Sequence, residues 1–422
     1  MSRMRTGLPG NRDFLYLWTA KSVSDFGSMV SRTALSFTAI LLLHATPAQL
    51  SLLMAADLLP RIFVGLAAGI WVDRVRRRPL MIFADVGRAA LLVIIPASAL
   101  LHRLRIEQMY LVTLGTGMLS LLYDIADRSY LPSLVATEDL VEANSRLTAT
   151  SSVAEFSAFS LGGWLVQWLT GPIAVLVDAI SFLGSALFLC LIRKPEPPPS
   201  AHQVRVGIRT ELFVGISTVR VHPLLSAFAC STILRGLSHG IFGTVVVAFM
   251  ARDLGFKPGL LGMIWSIGGL ASLAGAMAAG PLARRFGTGP VIIAGLFVAS
   301  LGGLATPLAH GATLGAALLL VATQLITDPA FTVFDINQTS LRQAITPERL
   351  RGRVNATLEF VGLVATLAGA GLGGLLGQWI GLRFALCAGI AASACAAAAL
   401  LFSPVRHVRG FPETPPLFDG IE

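Results

Sequence analysis

Leu161-Gly162-Gly163-Trp164-Leu165-Val166-Gln167-Trp168 returns 211 residues later as Leu372-Gly373-Gly374-Leu375-Leu376-Gly377-Gln378-Trp379. The same offset relates Gly69 to Gly280, Arg74 to Arg285, Asp124-Ile125 to Asp335-Ile336, Asn144 to Asn355 and Pro47 to Pro258. Matches in separate segments at one offset mark an internal duplication. Both copies of the quoted stretch are apolar and rich in glycine, the composition of helices that pack closely inside a bilayer. The whole 422-residue chain agrees, being 54% hydrophobic and only 13% charged, with a mean hydropathy of +0.73. Soluble domains carry about 25% charged residues, and a soluble fold has too little interior to hide this much apolar surface. Lipid is the solvent these proportions imply.

A bilayer core needs about 20 predominantly apolar residues per helix. Such segments fall near 14–43, 49–72, 79–101, 108–129, 145–169, 172–192, 223–249, 258–281, 288–310, 313–336, 354–378 and 382–403. The expected fold is an all-α membrane protein of twelve transmembrane helices, in two six-helix halves (1–192 and 223–403) related by the repeat. A linker (193–222) would join them and a tail (404–422) would follow. The linker contains Lys194-Pro195-Glu196-Pro197-Pro198-Pro199-Ser200, a run that cannot continue a helix. Met1 to Arg12 is basic and enters the first apolar segment without a small-residue cleavage site, so a first span is expected there and not a removable signal peptide. Most of the 32 lysines and arginines lie in the tails, the linker and the hinges of one side. The positive-inside rule then places both termini in the cytoplasm. Membrane topology thus accounts for the net charge of +9 without nucleic acid. Cys190, Cys230, Cys387 and Cys395 lie in apolar segments without metal-ligand spacing and read as small core residues. No metal or cofactor is expected.

After the second span comes Gly69-Ile70-Trp71-Val72-Asp73-Arg74-Val75-Arg76-Arg77-Arg78-Pro79. This stretch resembles the signature loop between helices 2 and 3 of the major facilitator superfamily, a glycine followed by Asp-Arg and a basic cluster. Gly65 and Gly69 form a GxxxG pair suited to close helix approach, and Asp73 can accept hydrogen bonds at a neighbouring helix N-terminus. The resemblance implies a cytoplasmic latch made by Gly69, Asp73, Arg74, Arg77 and Arg78. The second copy, Gly280-Pro281-Leu282-Ala283-Arg284-Arg285, has arginine where Asp73 would repeat, so one latch is complete and the other degenerate.

Two further stretches, Tyr130-Leu131-Pro132-Ser133-Leu134-Val135 with Asp139 to Asn144, and Phe83-Ala84-Asp85-Val86-Gly87-Arg88-Ala89, look like the bacterial drug-exporter subfamilies that include enterobactin and macrolide exporters. That resemblance implies a secondary active transporter in the bacterial cytoplasmic membrane. It would export amphipathic small molecules by alternating access, coupled to protons, as a monomer surrounded by lipid. A dedicated exporter of a siderophore or other metabolite is the alternative of the same class. A lipid or lysolipid flippase is one of another class, and a sensor that moves nothing is a third. One departure bears on coupling. Antiporter branches often carry Gly-Pro before the double glycine of helix 5, where this chain has Ala158-Phe159.

Ionisable groups at bilayer depth are costly, which makes them functional candidates. Lys21, Asp25, Ser28, Arg32 and Ser36 recur at steps of 4, 3, 4 and 4, one narrow stripe of a helix. Asp25 lies one turn from Lys21 and two from Arg32. Proton coupling through Asp25 and Arg32 and a static ion network are both open readings of this stripe. Glu155, between Phe156 and Phe159, reads as a proton carrier, a group facing a cationic compound, or a partner of another helix. Lys21, Ser28, Phe156, Phe159, Arg235 and His239 are the substrate-cavity candidates, the last two sharing a face suited to an anionic group. Asp57 with Arg61 reads as a self-satisfied pair; Asp85 with Arg88 and Asp124 with Arg128 read as gate scaffold. Asp178, Asp328 and Glu359 receive no role.

Two enzyme-like motifs carry no chemistry here. Gly236-Leu237-Ser238-His239-Gly240 fits the nucleophile elbow, which needs a preceding strand. Gly369-Ala370-Gly371-Leu372-Gly373-Gly374 fits a dinucleotide loop, which needs a βαβ unit. Gly369, Gly373 and Gly377 instead make a small-residue stripe for helix contact. No enzyme is expected, and the chain lacks a Walker A sequence, so ATP does not drive it directly.

Overall fold

The computed structural model describes residues 8–72, 74–196 and 208–410; at 9, 66–67, 69–70, 155–156 and 208–212 the description extends to the backbone only. The described residues are helical almost throughout. The helices are α1 (Arg12–Phe37), α2 (Pro47–Phe63), α3 (Gly65–Val72), α4 (Arg77–Leu100), α5 (Ile106–Leu134), α6 (Leu140–Leu169) and α7 (Gly171–Leu191). Then come α8 (Ile208–Val221), α9 (Pro223–Ala248), α10 (Pro258–Phe286), α11 (Thr288–Gly303), α12 (Leu314–Ile345), α13 (Glu348–Trp379) and α14 (Leu382–Leu401). Nine spans among the described residues are long and apolar enough to cross a membrane, carried by α4, α5, α7 and α9 to α14. Apolar side chains such as Leu111, Met277 and Leu314 stand exposed on them, which suits helices facing lipid and would be a liability in water.

The 211-residue offset of the sequence recurs in the helix boundaries. α1, α2, α4 and α7 begin at Arg12, Pro47, Arg77 and Gly171, and α9, α10, α11 and α14 begin at Pro223, Pro258, Thr288 and Leu382. A π-helical turn closes α1 at Thr38–Leu42 and another closes α9 at Phe249–Asp253. Capping explains several starts. Asn11 accepts from Phe14 N–H at α1, and Thr313 accepts from Ala316 N–H at α12, each satisfying a donor that the helix leaves unpaired. His222 Nδ1 accepts from Leu225 N–H at α9. Burial lowers the basicity of His222, which keeps that nitrogen an acceptor.

The chain divides into two compact units, residues 1–45, 56–204 and 257–263, and residues 46–55, 205–256 and 264–422. In the first, α1 packs on α6 and α7, and α4 on α5 and α7; in the second, α9 packs on α13 and α14, and α11 on α12 and α14. The α9–α13 seam is made of glycine. A side-chain carbon on Gly240 would strike the backbone of Gly369, Thr366 and Ala370, and one on Gly373 would strike Ile241. The stripe read from Gly369, Gly373 and Gly377 is therefore a packing surface, close enough for backbones to touch. The cysteine expectation is corrected: Cys190, Cys230 and Cys395 are exposed, and only Cys387 is partly covered. In lipid an outward apolar position costs a thiol nothing, so hydropathy does not separate it from the core.

Candidate functional site

In the first unit, α1 turns its polar stripe towards α5 and α6. Lys21 Nζ lies 3.0 Å from Asp127 Oδ2 and 3.9 Å from Asp25 Oδ1. Ser151 Oγ of α6 donates to Asp25 Oδ2 at 2.7 Å. One turn away, Trp18 Nε1–H donates to Thr150 Oγ1 at 2.9 Å. Two carboxylates thus share one ammonium on the inner faces of three helices, with Asp127 only 7% exposed.

The rest of the stripe is different. Ser28 and Ser36 turn their hydroxyls back onto the carbonyls of Ser24 and Arg32. Arg32 is exposed and has no side-chain partner among the described residues. Phe159 is half-buried, its carbonyl against Gly262. Glu155 and Phe156 lie on α6, and their side chains are outside the described residues. Asp127 was not singled out from the sequence. Asp124 and Asp127 stand three apart on one helix, but nothing at short range in the sequence points from them to Lys21.

Asp85 and Arg88 form a fully buried ion pair. The guanidinium also lies 4.0 Å over Phe182 and 4.5 Å over Tyr123, and donates to Ser120. This is a buried brace joining α4, α5 and α7, formed by the pair that the sequence spacing suggested as gate scaffold. The Asp57–Arg61 and Asp124–Arg128 pairs do not close among the described salt bridges.

At the start of α4 the anion is Glu196 of the linker. Its carboxylate accepts from Arg77 N–H at 2.7 Å and Arg78 N–H at 3.3 Å, and lies 3.5 Å from the Arg77 guanidinium. The Arg78 side chain donates to the carbonyls of Leu189 and Cys190 at the end of α7. Of the other latch candidates, Gly69 lies in α3, Arg74 is exposed, and Asp73 is outside the described residues. A carboxylate on free amides at a helix start is favourable on both hydrogen-bond and dipole grounds. Glu196→Ala is expected to cost about 1–2 kcal/mol, read as a lower melting temperature in detergent; an unchanged melting temperature would make this contact incidental.

The second unit holds a partly open cavity of about 830 Å³. One wall is a face of α12 on which Asp328, Phe331, Asp335, Gln338 and Arg342 recur at steps of 3, 4, 3 and 4. Arg235 and His239 of α9 face it, with Glu359 of α13. Arg235 Nη1 donates to Gln338 Oε1 at 3.2 Å, and its guanidinium stands 4.5 Å over Phe334 and 4.9 Å over Phe331. Asp328 accepts from Thr327 Oγ1 at 3.4 Å and rests over Gly268 of α10, where any side chain would displace it. The volume suits a drug-sized compound. Of this site, Arg235 and His239 were legible in the sequence; the α12 stripe was passed over.

A duplicated helical bundle with paired charges inside its apolar units is the build of a membrane carrier. Residues 17–234 and 228–417 match the sequence profile of the Major Facilitator Superfamily. The chain belongs to that superfamily. The Major Facilitator Superfamily protein is accordingly a secondary transporter and not an enzyme, integral to the membrane and multi-pass. It is 23% identical over 378 residues to the uncharacterized MFS-type transporter YfiS of Bacillus subtilis (strain 168), covering 89% of each chain. It is 25% identical over 320 residues to the enterobactin exporter EntS of Escherichia coli O1:K1 / APEC, covering 75% of this chain and 74% of that one. Its fold is similar to the crystal structure of the nucleoside transporter NupG, with a TM-score of 0.76 at 15% identity over 92% of this chain and 98% of the other.

Proposed function

We propose that this protein is a proton-coupled exporter of amphipathic small molecules across the bacterial cytoplasmic membrane, working by alternating access. The observation that carries the reading is the cluster of Lys21, Asp25 and Asp127, where two carboxylates share one ammonium. Such a set can take up one proton without leaving an unpaired charge at bilayer depth, and can release it when the geometry changes. Asp25 is the proton carrier in this reading, since it is the more exposed carboxylate and its second oxygen is already held by a hydroxyl of α6. Glu155 and Arg32 remain secondary coupling candidates. Lys21, Ser28, Phe156, Phe159, Arg235 and His239 contribute to substrate contacts.

The architecture proposed with it has twelve spans, α1, α2 with α3, and α6 adding to the nine apolar ones. Polar residues lower the hydropathy of α1 and α6, and an interruption at Val64 divides the second span into α2 and α3. The helix starts repeating at one offset support two six-helix halves, 1–192 and 223–403; a cytoplasmic linker, cytoplasmic termini and a monomeric working unit belong to the same proposal. Gly69, Asp73, Arg74, Arg77 and Arg78 form the cytoplasmic latch. The likeness to EntS favours a second reading, a dedicated exporter of one metabolite. Asp25→Asn tests the coupling: gradient-driven flux in proteoliposomes is expected to fall at least tenfold while substrate binding stays within twofold. Unchanged flux would return Asp25 to a purely structural role.

A further inference from the structure

Asp328, Asp335, Glu359, Arg235 and Arg342 all line the cavity of the second unit, and none of them has an ion-pair partner within 4.0 Å among the described residues. Asp328 has no lysine, arginine or histidine nitrogen within 4.0 Å among the described residues, and its recorded hydrogen bond comes from the adjacent Thr327. Arg235 is held by one neutral amide and two aromatic faces, and no carboxylate lies within 4.0 Å of it among the described residues. Both line the same space. Arg235 sits beside Phe334 and Gln338, six to ten residues beyond Asp328 along α12, so the two charges stand on the order of 9–15 Å apart along the helix axis. Phe331 lies between them on the same face.

Charges held this way at bilayer depth call for compensation from a ligand. A simple cation at Asp328 would approach the guanidinium that already covers Phe331. A simple anion at Arg235 would approach Asp335, on the same wall one residue from Phe334, and would leave Asp328 unanswered. A compound carrying both charges, separated by an apolar body, answers Asp328 and Arg235 together. We propose that the cavity of the second unit is a site for amphipathic zwitterions, the ammonium end on Asp328 and the acidic end on Arg235. This deepens the exporter reading and rests on it for taking the cavity as a substrate site.

The test is equilibrium binding to the full-length purified protein in lipid nanodiscs, with no gradient, followed by naphthalene fluorescence. The probe is 6-(aminomethyl)naphthalene-2-carboxylic acid, compared with its N-acetyl derivative, which is an anion only, and its methyl ester, which is a cation only. The zwitterion is expected to bind at least tenfold more tightly than either derivative. Asp328→Asn is expected to erase its advantage over the N-acetyl compound alone, and Arg235→Gln its advantage over the methyl ester alone. Equal affinities for the three compounds, or no binding of any of them, would overturn the inference, and the wild-type comparison decides this even where a variant fails to fold. Selective binding without gradient-driven flux would support the site while removing the exporter reading. Flux of single-charge compounds without zwitterion preference would do the reverse.

Discussion

Lys21→Met is expected to destabilise the protein by about 3–5 kcal/mol, the usual consequence of removing one partner of a buried ion pair. Asp127, 3.0 Å from Lys21 Nζ and almost fully enclosed, would lose its cation, and Asp25 would keep only Ser151. Adding Asp127→Asn removes the stranded charge, so the double variant is expected to recover more than 1 kcal/mol of the loss. Denaturant unfolding of the four proteins of that cycle in detergent measures the coupling. Strict additivity would mean that the pair is not formed, and the account of proton exchange built on it would fail with it. The single Asp127→Asn variant should be the mildest, because Lys21 retains Asp25 at 3.9 Å.

Gly240→Val is expected to be the most damaging single change in the second unit. Its side chain would point into the backbone of Gly369, Thr366 and Ala370, which cannot turn aside as a side-chain tip can. Overpacking ordinarily costs about 1–3 kcal/mol; with backbone on the receiving side the loss should reach or exceed the top of that range. The readout is the monodisperse fraction on size-exclusion chromatography, together with the melting temperature. Gly371→Val, on the facing helix α13 but with open space around its Cα, serves as the control and should change little beyond helix propensity. Equal behaviour of the two variants would contradict the glycine seam.

The fold was more legible than the chemistry, for reasons that particular residues make plain. Helix positions follow from long apolar runs, and the repeat at one offset carried through to helix starts as far apart as Arg12 and Pro223. Spacing within a helix names faces and gives no depth. Spacing paired Asp85 with Arg88 as gate scaffold but could not show that both are fully buried in a brace between three helices. Partners from other helices leave no mark at short range, and so Asp127, Ser151 and Gln338 were invisible beside Lys21, Asp25 and Arg235. Glu196 was hidden for another reason: its proline-rich surroundings read as linker, and the amides it meets lie more than a hundred residues away in sequence. Lipid adds a last ambiguity, because outward and inward apolar positions look alike, as the exposed cysteines illustrate.

The central claim is that a proton gradient drives small amphipathic molecules through this protein. Its most direct test is accumulation in proteoliposomes of a fluorescent amphipathic panel, cationic and zwitterionic, under an imposed pH gradient, against the same vesicles with no gradient. Accumulation that needs the gradient, collapses with a protonophore and is lost in Asp25→Asn is the predicted result. Movement that is indifferent to the gradient and to the protonophore would contradict the account.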